Sequence, residues 1–203
     1  MSALPEVALL PAWDDPVRES QATFRAILKA LSEPGLVQTI GADIEFPPPL
    51  FLSTTALCLA LADVETPVWL DPGADTNSLN AYLRFHCGCP LVEDLAQASF
   101  AVVTDPQQLE SEHFFSQFSL GTMEYPDRSA MLFLQVPDLT GGPQRVFSGP
   151  GIDGQRAVRV AGLPVNFDAM WQKNVDGFPR GIDLIFCHGP HILGLPRTTR
   201  IVN

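Results

Sequence analysis

Two short segments put histidine and cysteine close enough together to suggest metal ligation. They are His86-Cys87-Gly88-Cys89 and His188-Gly189-Pro190-His191. A structural zinc site joins two such elements at CxxC-type or HxxxH-type spacing. Here the thiols read CxC, a second thiol pair is missing, and the two histidines flank a turn. Core or turn residues are the better reading, and no metal is expected. Gly149-Pro150-Gly151-Ile152-Asp153-Gly154 spells GxGxxG. A dinucleotide site needs a helix opening at those glycines, so that its N–H groups meet the pyrophosphate. The next stretch, Arg156 to Val160, alternates like a strand, and Pro150 removes a donor. A glycine turn between two strands is expected instead. Neither GxSxG nor GxxxxGK[ST] occurs, so the sequence supports neither a nucleophile elbow nor a P-loop.

Only two lysines exist, Lys29 and Lys173, and both fall inside expected helices without an adjacent glycine-rich phosphate loop. A pyridoxal-phosphate (PLP) enzyme needs its Schiff-base lysine in a cleft, so PLP is not expected. Arginines are more suggestive. A hairpin near the C-terminus would bring Arg180, Arg197 and Arg200 close to Asp183, Thr198 and Thr199. Guanidinium forks beside hydroxyls suit phosphate or carboxylate capture. An Arg–Asp pair that simply fixes the hairpin ends satisfies the same pattern. Both readings stand at this stage.

These residues must be positioned by a folded body. Apolar residues make up 46% of the chain and charged residues 17%, enough for a large core and unlike a disordered segment. One domain spanning residues 1–203 is expected. Its longest apolar run, Leu50 to Ala62, is broken by Ser53, Thr54 and Thr55 and falls short of a membrane span. The first 13 residues hold Glu6 and no base, unlike a secretion signal, and four cysteines form no secreted framework. A cytoplasmic protein with free thiols is expected. Residues 1–127 carry 18 acids and 4 bases, whereas residues 128–203 carry 5 acids and 8 bases. An acidic chain without basic clusters is repelled by nucleic acid, although the C-terminal third suits a small anion or an acidic protein face.

Asp14-Asp15-Pro16 signals a helix start, and Glu33-Pro34-Gly35 a stop. Between them Val17, Phe24, Ile27, Leu28 and Leu31 recur at helical spacing as one apolar face. Further helices are predicted over 50–62, 78–86, 107–118 (weaker) and 166–174, the last capped by Asn166. Strands are predicted over 66–70, 99–104, 130–136, 145–148 and 157–160, with a hairpin of 182–187 and 192–195. Buried strands alternating with helices give a layered α/β/α domain with a mixed sheet. Pro34, Gly35, Gly149 and Gly151 serve as turns, and Trp69 and Phe85 are expected in the core or an interface.

Several segments, in order, resemble the H subunit of the carbon–phosphorus lyase core complex, a phosphonate metabolism (PhnH) family. They are Asp15-Pro16-Val17 through Pro34-Gly35, Thr66-Pro67-Val68-Trp69-Leu70, Leu83-Arg84-Phe85-His86 and Pro90-Leu91-Val92. Gly149-Pro150-Gly151-Ile152 follows, then Phe178-Pro179-Arg180-Gly181-Ile182-Asp183 and Pro196-Arg197-Thr198-Thr199. Together they span the chain and cover about half of it. The resemblance implies a fold like the large domain of PLP-dependent transferases, without PLP. It further implies a homodimer that joins the G, I and J subunits to turn alkyl phosphonates into phosphate. In the first step a phosphonate displaces adenine from ATP, giving a ribose 1-phosphonate 5-triphosphate. That chemistry is assigned to other subunits, so no catalytic residue and no bound cofactor are expected here. Arg84 and His86 join Arg180, Asp183, Arg197 and Thr198 as candidate anion-binding or subunit-interface residues, brought together across a dimer. The chain departs from the family at Cys87, Cys89 and Arg18, and over most of 105–128.

Overall fold

Asp15 opens the first helix, as its place before Pro16 requires. Its carboxylate accepts a hydrogen bond from Arg18 N at 3.1 Å, and α1 (Pro16–Ser32) then runs to the Pro34-Gly35 stop. The computed structural model describes residues 9–109 and 111–202. After α1 come β1 (Gln38–Thr39), α2 (Leu52–Leu61), β2 (Val68–Leu70), α3 (Asn77–His86), β3 (Leu91–Val92), β4 (Phe100–Val103) and β5 (Met131–Gln135). The chain continues through β6 (Gln144–Ser148), β7 (Arg156–Arg159), α4 (Phe167–Asp176), β8 (Asp183–His188), β9 (His191–Leu195) and β10 (Arg200–Val202).

Seven strands form one mixed sheet in the order β1-β9-β8-β5-β4-β2-β3. β3, β2, β4, β5 and β8 run parallel, while β9 returns antiparallel from β8 and pairs β1 at the edge. Successive side chains of a strand point to opposite faces, and here both faces are filled. Val102, Phe133, Ile185 and Cys187 pack toward α1, α2 and α3. Ala101, Val103, Leu132, Leu134, Leu184 and Phe186 pack on the other side, with Phe167, Met170 and Trp171 of α4. Burial on both faces explains why these strands read as continuous apolar runs. The layered α/β reading with a mixed sheet is observed.

The second outer layer differs from a plain row of helices. Beside α4 it contains a three-stranded antiparallel sheet, β10-β6-β7. The glycine turn between β6 and β7 lies where the sequence put it, and close approach fixes Gly151 within it. Gly151 has φ +79, and a Cβ there would run into the Ser32 carbonyl at the end of α1 and Pro34. Gly154, with φ +67, has open space around it. Both substitutions to alanine therefore carry the left-handed backbone penalty of about 1 kcal/mol, and only Gly151→Ala adds a backbone collision. We predict a loss of more than about 2 kcal/mol for Gly151→Ala and about 1 kcal/mol for Gly154→Ala, read from urea unfolding midpoints.

Two sequence expectations need correction. The segment 107–118 is not an α-helix. It holds two short 3-10 turns, Pro106–Gln108 and Phe115–Gln117. Phe114, Phe115 and Phe118 are buried there, with Phe118 edge-on to Trp69 at 5.8 Å and Phe115 edge-on to Trp171 at 6.2 Å. Aromatic packing against the sheet overrides a weak helical preference. Asn166 stands at the start of α4, but its side chain makes no capping hydrogen bond. The five apolar residues of α1 share one face, but the core covers only its margin. Ile27 is buried, whereas Val17, Phe24 and Leu28 are exposed. Likewise Phe85 is exposed, while Trp69 is half-buried against the aromatic cluster.

Candidate functional site

The β8–β9 hairpin brings the entry of one strand beside the exit of the next. Asp183 is the first residue of β8, and Arg197 follows β9 by two residues. Arg197 donates from Nε to Asp183 Oδ1 at 3.1 Å and from Nη2 to Oδ2 at 2.5 Å. Its backbone N–H donates to the same Oδ1 at 2.7 Å. The remaining guanidinium donors reach the Pro126 carbonyl at 2.8 Å and the Ser129 hydroxyl. The two side chains are only 13% and 19% exposed. This fork is committed to its own chain, since a bidentate carboxylate and two further acceptors leave it little capacity for an outside anion.

Thr198 lies beside this pair, lining a shallow hollow with Pro126, Asp127, Phe178, Pro179 and Pro196. Arg180 is exposed and outside that hollow, and Arg200 is exposed at the start of β10. Thr199 is fully buried, and its carbonyl accepts from Trp171 Nε1 at 2.8 Å. Thus Asp183, Arg197 and Thr198 meet, whereas Arg180 stands apart. Arg84 and His86 belong to α3, elsewhere on the molecule. Arg84 lines a cleft of about 390 Å³ with Trp69, Leu70, Asp75, Asn80, Val92 and Glu93. His86 packs at a tilt against Tyr82, ring centres 4.4 Å apart, and its Nε2 lies 2.9 Å from the Leu10 carbonyl, so it ties down the N-terminal segment. Within one chain the six candidates do not form one pocket.

His188 and His191 stand opposite each other across the β8–β9 turn, but their rings are turned to different partners. His188 Nδ1 is 3.1 Å from the Val136 carbonyl, and His191 Nδ1 is 3.0 Å from the Thr39 hydroxyl. Among the described residues, no group of three or more His, Cys, Asp or Glu side chains is placed to hold a metal ion. All four cysteines are free thiols, three of them buried. Burial pushes the Cys187 thiol up to about 12 and raises Cys58 as well, which suppresses thiolate chemistry. Of the two lysines, Lys29 is exposed on α1, and Lys173 pairs with Glu112 at 2.7 Å on the surface.

Two residues the sequence reading did not single out are more telling. Open α/β sheets hold ligands outside the carboxyl ends of their strands, where the strand order reverses. In this sheet that place is the end of β2 and β4. It is occupied by Asp71, whose fully buried carboxylate accepts from Thr104 N at 2.7 Å, Thr104 Oγ1 at 2.9 Å and Ala74 N at 2.8 Å. At the end of β5, Gln135 does the same. Its Oε1 accepts from Phe51 N at 2.6 Å and Thr54 Oγ1 at 2.8 Å, and its Nε2 donates to the Pro49 carbonyl at 3.1 Å. Buried polar groups must find partners, and these two spend theirs stitching the chain's own loops across the usual ligand edge. Asp71 escapes a local reading of the sequence, because its partner Thr104 lies 33 residues further on.

The family model described as bacterial phosphonate metabolism protein (PhnH) matches residues 11–202. The chain belongs to the PhnH family. It is 36% identical over 190 residues to the α-D-ribose 1-methylphosphonate 5-triphosphate synthase subunit PhnH of Rhizobium meliloti (strain 1021), a match covering 94% of each chain. It is also 28% identical over 205 residues to the putative C-P lyase subunit protein HtxG of Stutzerimonas stutzeri, covering 99% of this chain and 94% of that one. Among the described residues, no helix is long and apolar enough to cross a membrane.

Proposed function

We propose that this chain is a subunit of a carbon–phosphorus lyase assembly in alkylphosphonate breakdown. There it supports formation of ribose 1-alkylphosphonate 5-triphosphate from ATP and a phosphonate. The observation that carries the reading is end-to-end similarity to a synthase subunit. The stitched carboxyl edge of the sheet fits a supporting rather than a reacting role, because Asp71 and Gln135 spend their polar groups on the chain's own loops there. Its partners are the G, I and J subunits, with a homodimer when alone. The chain works in the cytoplasm, ATP is a substrate of the assembly, and the chain itself holds no PLP. Both lysines lie on helix exteriors, which is consistent with that.

Co-expression with the G, I and J subunits followed by size exclusion tests the proposal. The chain is expected to elute with the others at fixed stoichiometry. Elution of the chain alone while the others assemble overturns it.

A further inference from the structure

Helix α1 carries more apolar surface than its packing uses. Thr23, Ile27 and Ala30 are its buried residues, and they seat it on α2 and β9. Val17, Phe24 and Leu28 stay 81%, 45% and 51% exposed. At 3.6 residues per turn these three fall in one line along the helix. Arg18, Arg25 and Lys29 repeat the same spacing one residue later, so they form a second line about 100° further round. All three are exposed, and among the described residues no carboxylate forms an ion pair with them. They are three of the four bases in residues 1–127, a region with 18 acids. An apolar line flanked by positive charge thus stands on an otherwise acidic body.

We propose that this face of α1 docks an acidic partner, namely a helix of another subunit whose apolar line is flanked by Asp or Glu. The proposal rests on the subunit reading above. Charge complementarity selects that occupant. The α1 of a second copy carries one carboxylate, Glu19, about 100° beyond Arg18 and turned away from the apolar line, and an antiparallel pairing opposes base to base, which disfavours association. Nucleic acid and anionic lipid attract the three bases but are repelled by a chain of net charge −11. A partner with a local acidic, apolar-lined helix satisfies both lines at once.

The test uses the intact assembly co-expressed with the G, I and J subunits. Arg18→Glu/Arg25→Glu/Lys29→Glu reverses the basic line, and Phe24→Asp interrupts the apolar one. Because every substituted side chain faces solvent, circular dichroism and the unfolding curve of the isolated variants should match wild type. Retention in the assembly should fall about 100-fold for the triple reversal and at least about 10-fold for Phe24→Asp. A zero-length carbodiimide should link Lys29 to an Asp or Glu of a partner subunit, and changing that acid to lysine should restore the triple variant. Folded variants that assemble as well as wild type overturn the docking face and leave the subunit reading standing. So do links from Lys29 only to a second copy of the chain. So does an effect of the reversal only on binding to phosphatidylserine vesicles or duplex DNA. A wild-type chain that never joins its partners overturns both.

Discussion

Asp183→Ala should lower the free energy of unfolding by about 3 kcal/mol. The change deletes the acceptor of three hydrogen bonds, two from the Arg197 guanidinium and one from its backbone N–H. It leaves a guanidinium that is 87% removed from solvent without its counter-charge. Breaking a buried pair by removing one partner costs about 3–5 kcal/mol, and the residual exposure here points to the lower end. The Pro126 carbonyl and Ser129 hydroxyl continue to hold Arg197, so the fold should survive. In a double-mutant cycle with Arg197→Ala, the two losses should fall short of additive by about 1–3 kcal/mol. Urea unfolding of the four proteins gives the result. A stable Asp183→Ala protein that gains no anion affinity, with additive losses, would mean that the pair does not fix the hairpin.

Trp171→Ala should cost more, about 4 kcal/mol. The indole is fully buried, stacks on Phe167 with ring planes 4° apart, and meets Phe115 edge-on. Its Nε1 donates to the Thr199 carbonyl, so the truncation leaves both a cavity and an unsatisfied acceptor. Trp171→Phe keeps most of the volume and loses the hydrogen bond, so about 1–2 kcal/mol is expected. The ranking of the two variants by calorimetry or denaturant tests how α4 is anchored. Equal losses would assign the whole effect to Nε1 rather than to packing.

Local signals carried most of the fold. Asp15-Pro16 and Pro34-Gly35 bound α1 because capping and turn chemistry are read within a few residues. The β8–β9 hairpin was legible for the same reason, and the parallel strands announced themselves as apolar runs. What escaped depends on distant partners. The short strands β1, β3 and β10 exist only because a neighbour pairs with them. The outward line of α1 could not be told from a core line, since periodicity shows an apolar face without saying what covers it. The arginine cluster was half legible. Spacing brought Arg197 to Asp183, but Pro126 and Ser129, which complete the fork, come from a loop the hairpin pattern does not contain. Arg180 and Arg84 carried the right chemistry to places that do not meet.

Reconstitution of the synthase tests the central claim most directly. The co-expressed G, I and J subunits are assayed with ATP and methylphosphonate for release of adenine, with and without this chain. Adenine release should depend on the chain's presence, while the chain alone with the same substrates releases none. Turnover by the isolated chain, or full activity in its absence, would contradict the account.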